Sequence, residues 1–176
     1  MTWLRHAGRH VHHTAANYLR TQLDDLGWTS DTVADRPFGS TKVTLWTKPA
    51  VLEDGLVDKV TAGVVAITLG NEPYTELQEM GGPLTTQEYP LFVDVFHDTE
   101  ETTLALATDV RDIFMGRLPG TQPFLDVINQ VDQAAVPGWK MEFEDIERIR
   151  PTNAKIALHW QVVKVTATTF FPEERY

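Results

Sequence analysis

QEYPLFVDVFHDTEETTLALATDVRDIFMGRLPG, residues 87–120, decides the fold class. Residues 91–96 form a short apolar run rich in Val and Phe between Pro90 and Asp98, which predicts a strand buried on both faces. Asp98 stands three residues before Glu101, the spacing of an N-cap acid followed by a capping glutamate, and a helical period begins there. Leu106, Val110, Ile113 and Phe114 make one apolar stripe, and Gly116, Pro119 and Gly120 end it. A strand running straight into a capped amphipathic helix is a core unit of an α+β or α/β domain. Nothing in it is placed to do catalysis.

Upstream, His12, Ala15, Ala16, Leu19, Leu23 and Leu26 recur at spacings of three and four, predicting a first helix over 9–26 with Gly27 as its stop. Residues 28–40 read as a loop, 42–47 as a half-buried strand with Val43 and Leu45 inward, and 64–69 as a more uniformly apolar strand. Residues 70–88 hold Pro73, the Gly81-Gly82-Pro83 breaker and four glutamates, the composition of a projecting loop. Residues 118–138 read as irregular, with one short helix at Phe124, Leu125, Val127, Ile128 and Val131.

In the last third, Trp139, Met141 and Phe143 alternate with Lys140, Glu142 and Glu144, as in a strand with one wet face. In residues 158–171 the apolar phase changes, from Leu158, Trp160 and Val162 to Val163, Val165 and Ala167. A β-bulge, or a strand covering two surfaces, would produce that change. The run is roughly 45 Å long at about 3.3 Å per residue, long enough to leave its own domain. The expected architecture is a single α+β domain over residues 1–176. Its sheet is mixed but mainly antiparallel, of about four to five strands, with the N-terminal and central helices packed on it.

A chain of 176 residues buries enough surface to fold unaided, and the absence of cysteine removes disulfides and thiolate chemistry. No window approaches the ~20 apolar residues of a membrane span and no signal-like apolar core opens the chain, so a soluble, unprocessed protein is expected. The net charge is −10, and no Lys or Arg falls between Lys59 and Arg111, where Glu72, Glu76, Glu79, Glu88, Asp94, Asp98, Glu100, Glu101 and Asp109 lie. With no basic stripe to hold phosphates, ordinary nucleic-acid binding is disfavoured.

Three clusters invite a chemical reading. His6, His10 and His13, with His12 beside them, have ligand-like helical spacing, but no glutamate completes an H-E-x-x-H pattern. Asp94, His97 and Asp98 end the central strand, where metal-dependent hydrolases place ligands, yet Asp98 is better used as the helix cap and no nearby Lys or Arg holds phosphate. Glu142, Glu144 and Asp145 suggest paired carboxylates until the alternation places Glu142 and Glu144 on a wet face. The expectation is a protein without catalytic residues, metal or cofactor. Of the aromatics Trp3, Trp46, Trp139, Trp160, Tyr74, Phe170 and Phe171, those near the C-terminus are candidate interface anchors.

Residues 87–120, then VPGWKMEFEDIERIRP (136–151) and ALHWQVVKVTATTFF (157–171), resemble the tail terminator proteins of long-tailed bacteriophages, especially those of actinobacterial hosts. The resemblance covers about half the chain and lies in element order and local wording. It implies a virion structural protein made in the host cytoplasm. Such a protein forms a homo-oligomeric ring, commonly of six subunits, on the head-proximal end of the tail tube. The ring stops tube growth, meets the head-tail stopper and lets the genome pass without gripping it. Channel or interface candidates are then Glu72, Glu76, Glu79, Trp160, Phe170 and Phe171. Another neck component, a stopper or adaptor, and a small metal-dependent hydrolase are the alternatives.

Overall fold

The structure, a computed structural model, describes residues 7–28, 43–46, 63–69, 74–76, 84–97, 99–122, 124–129, 132–149 and 159–172. Among these are two helices, α1 (Ala7–Asp25) and α2 (Glu100–Phe114). Seven strands accompany them: β1 (Val43–Trp46), β2 (Gly63–Leu69), β3 (Tyr74–Glu76), β4 (Leu84–His97), β5 (Phe124–Ile128), β6 (Ala135–Ile149) and β7 (His159–Pro172). They form one sheet in the order β1-β2-β4-β7-β6-β5, with β3 also paired to β4. Among the described strands, β1–β2 is the one parallel pair. The protein is an α+β domain with a mixed, mainly antiparallel sheet, as its residue pattern predicts.

Both helices lie on one face. Tyr89, Leu91, Val93 and Val95 of β4 and Val163, Val165 and Ala167 of β7 are buried in the same cluster as Val11, Ala15 and Leu19 of α1 and Leu106, Val110 and Ile113 of α2. Side chains alternate along a strand, so these odd positions share one face and the even positions share the other. Each fully buried aliphatic side chain contributes roughly 1.5–3 kcal/mol, and α2 places its whole predicted stripe there. Tyr18 of α1 stacks on Phe143 of β6 at 5.7 Å, and Phe143 meets Phe114 of α2 edge-on at 4.7 Å, locking both helices to the sheet.

Both helices end in the same way. Trp28 N–H donates to Leu23 O and Gly27 N–H to Asp24 O, while Arg117 N–H donates to Asp112 O and Gly116 N–H to Ile113 O. This paired pattern needs a left-handed residue, supplied by Gly27 at φ 84° and Gly116 at φ 65°. The start of α2 departs from expectation. Its N-cap is Thr99, whose Oγ1 accepts from Thr102 N–H at 3.2 Å, and Asp98 lies outside the described residues. Glu100 and Glu101 then occupy the first turn, where the helix dipole favours negative charge.

Three further expectations are corrected. The expected loop over 70–88 contains β3, and its last five residues begin β4, which is fourteen residues long. The expected short helix within 118–138 is instead β5, because Leu125 and Val127 turn toward the core while Phe124 and Asp126 turn away, an alternation of period two. These two strands raise the count to seven. The third correction concerns β7, which pairs with β4 in unbroken register from Leu84↔Pro172 to His97↔His159 and so stays inside its own sheet. Its apolar phase change reflects side chains on both faces. The bulge lies on the neighbouring strand, where Asp145 and Ile146 of β6 together oppose Val165.

Candidate functional site

The sheet face that neither described helix covers, called the helix-free face below, carries Asp94, Glu142 and Glu144 of the polar residues singled out in the sequence. Its rows follow from the register: Thr86, Phe170, Lys140 and Asp126; then Glu88, Thr168, Glu142 and Phe124; then Pro90, Thr166 and Glu144. Phe92, Lys164 and Glu147 come next, then Asp94, Val162 and Ile149, and last Phe96 with Trp160. In these rows six carboxylates accompany two lysines. Lys140 pairs with Asp126, and Lys164 sits opposite Glu147. Glu142 and Glu144 meet only Thr168 and Thr166 across β7, and Thr168 Oγ1 donates to Glu144 Oε2 at 2.7 Å.

The two ends of this face differ in exposure. Toward β5 and β6 it is open: Glu144 and Glu147 are exposed, Phe124 is 51% exposed and Ile149 38%. Toward β4 it is closed, with Phe96 buried and Trp160 stacked on it at 5.6 Å. Trp160 Nε1–H donates to Asp94 Oδ1 at 2.9 Å. Burial pushes the Asp94 carboxyl above its ordinary value, and the indole hydrogen bond offsets part of that rise.

The structure separates Asp94 from His97, two of the three residues weighed above as a metal cluster. Asp94 and His97 stand an odd number of residues apart on one strand, so Asp94 lies on the helix-free face and His97 is buried on the helix side. Two ligands on opposite faces of a sheet cannot converge on one ion. The histidines of α1 disperse as well. His10 is buried edge-on to Trp139 at 6.1 Å, and His12 Nε2–H donates to Ile67 O at 2.8 Å. His13 Nε2 accepts from Gln133 and Asn17 side-chain amides at 2.8 and 3.0 Å, and His6 lies outside the described residues. No group of three His, Asp or Glu among the described residues is arranged to hold a metal.

Of the channel or interface candidates, Glu72 and Glu79 lie outside the described residues. Glu76 is on β3 at the register position of Thr86, and Phe171 on β7 at that of Thr85. Trp160 and Phe170 share the helix-free face but stand ten residues apart, roughly 33 Å along the strand. They do not form one anchor cluster. Glu142 and Glu144 are on the open face, as their alternation predicts, and Asp145 sits in the bulge at φ 48°. Phe124 and Ile149 are the aromatic and aliphatic residues that sequence reading missed on this face. Alternation through Phe124, Leu125, Asp126 and Val127 carried the signal for the first, but five residues also fit a helical turn.

No described helix is long and apolar enough to cross a membrane. Comparison with protein-family models and with curated proteins returns no match.

Proposed function

We propose that this chain is a virion structural protein of the tail terminator type. It would assemble as a ring on the head-proximal end of a phage tail tube, end tube growth, and offer the head-tail stopper its joining surface. One observation carries the reading. The three stretches that resemble tail terminators fall on β4 with α2, on β6 and on β7, which are adjacent in the sheet as β4-β7-β6 with α2 packed over them. A resemblance scattered along the chain thus condenses into one contiguous structural unit. The acidic composition supports the same reading, because a conduit for a duplex bearing one charge per 1.7 Å should repel phosphates. Glu72, Glu76 and Glu79 are assigned to the channel side, where DNA slides past without specific binding.

The test is a growth assay. The tail tube protein of a long-tailed actinobacterial phage is polymerised with and without a substoichiometric amount of the purified protein, and tube lengths are measured by electron microscopy. Capped tubes of restricted length, with the protein at one end only, are expected. Unchanged length distributions and no end decoration would remove the terminator reading.

A further inference from the structure

The open half of the helix-free face and the outer side of α1 are opposed in charge and matched in length. On β6, Glu142, Glu144 and Glu147 form an acidic row, and Phe124 and Ile149 lie exposed beside it. Of these acids, Glu142 and Glu144 have no cation opposite them in register. Across the sheet, Arg9 and Arg20 are exposed on α1, and no carboxylate precedes Asp24 in that helix. Eleven residues apart on a 3.6-residue period, the two arginines lie on one stripe, about 16 Å apart. The acidic row spans about the same distance, at roughly 3.3 Å per residue over five residues.

We propose that the β5–β6 half of the helix-free face is the docking surface for α1 of a second copy of this chain, with Arg9 and Arg20 set along Glu142, Glu144 and Glu147. The proposal rests on the ring reading above. Charge selects the geometry. A two-fold contact through either surface would put like charges together, whereas a head-to-tail contact pairs opposite ones. Because the donor and acceptor surfaces are different and lie on opposite sides of the sheet, each copy retains one of each, and a closing rotation yields a ring. Phe124 supplies the apolar anchor, and the polar row fixes register and resists wrong partners.

A charge swap tests this on the whole chain. Sedimentation velocity and light scattering are run on wild type, on Glu142→Lys with Glu144→Lys, on Arg9→Glu with Arg20→Glu, and on the combined variant, up to millimolar protein. Wild type should associate beyond a dimer and loosen as salt shortens the screening length from about 10 Å at 0.1 M to 3 Å at 1 M. Each double variant should drop to single-chain mass with an unchanged circular dichroism spectrum, and the combined variant should regain the wild-type species. A wild type that stays monomeric throughout overturns the proposal and leaves this face to another protein. So does association indifferent to both double variants, or a combined variant that stays dissociated. The two readings fail separately. Swap-dependent association without tube capping sinks the terminator function alone, and normal capping by every charge variant sinks the interface alone.

Discussion

Trp28 Nε1–H donates to Asp109 Oδ2 at 2.7 Å, so the residue that closes α1 is tied to the middle of α2. Trp28 is almost fully buried, and its own backbone N–H completes the end of α1. One side chain therefore fixes the spacing of the two helices. Trp28→Phe keeps an aromatic ring but leaves a partly buried carboxylate without its indole donor, a loss of roughly 2 kcal/mol for a hydrogen bond to a charged group. Urea unfolding should show a lower midpoint at unchanged slope. Addition of the Trp28→Phe and Asp109→Ala effects in a double-mutant cycle, with no coupling, would mean that the bond carries no stability.

Thr99, not Asp98, caps α2, and its hydroxyl is the acceptor for the otherwise orphaned Thr102 N–H. Thr99→Ala should cost about 1 kcal/mol, while Thr99→Ser, which keeps the acceptor, should cost little. Thermal melts of the two variants make the comparison. Equal losses would show that the methyl group rather than the oxygen matters.

The bulge gives a sharper test, because Asp145 holds φ 48° where β6 gains a residue over β7. A left-handed conformation suits Asp, Asn and Gly and strains a β-branched residue by roughly 1–2 kcal/mol. Asp145→Gly should be tolerated and Asp145→Val should destabilise by about that amount. The bulge also sets the phase of β6. Met141 and Phe143 face the helices before it, whereas after it Ile146 packs on the core and Arg148 Nη1–H donates to Thr108 of α2. A variant that removed the bulge would turn Glu147 into the core, so amide-exchange protection should fall from Glu147 to Ile149 in Asp145→Val. Uniform protection there would mean that the kink is held by something other than this residue.

How much of this was legible in the residues depends on how many physical signals agreed at each place. In α2, period and stop residues pointed the same way and the whole stripe is buried, whereas the cap is Thr99, one residue after the one the spacing selects. In β6 the alternation from Trp139 to Phe143 was strict because one side faces the helices and the other water. The alternation breaks at Asp145, where β6 carries the bulge; of the two sequence readings of β7, a bulge or a strand covering two surfaces, the second holds, since Trp160 and Val162 are apolar on the helix-free face. β3 and β5 were missed because three and five residues are too few for a period to declare itself. Trp28 was missed because its role depends on a partner eighty-one residues away. The acidic face was half read. Glu142 and Glu144 were placed in water, but their lack of opposing cations depends on the pairing of β6 with β7.

Asp94 offers the clearest pH dependence. Its carboxyl lies between Phe92 and Phe96 on β4 and opposite Val162, with the Trp160 N–H as donor. Burial raises its pKa above 3.8, and the hydrogen bond lowers it by less. The folded chain therefore holds this proton more tightly than the unfolded chain does. Between the unfolded and folded values the native state binds more protons, so stability falls as pH rises through that window and the penalty is complete above it. Burial raises the Asp109 carboxyl too, against the Trp28 hydrogen bond and with added repulsion from Asp112, so two groups act in the same sense. Asp94→Asn keeps an oxygen for the indole and removes the charge. It should melt a few degrees higher than wild type at neutral pH, with the gap closing as pH falls through the raised folded-state value and the unfolded-state value below it. A gap that stays constant across that range, or an Asn variant that melts lower at neutral pH, would mean that Asp94 is held as a favourable anion rather than against the cost of burial.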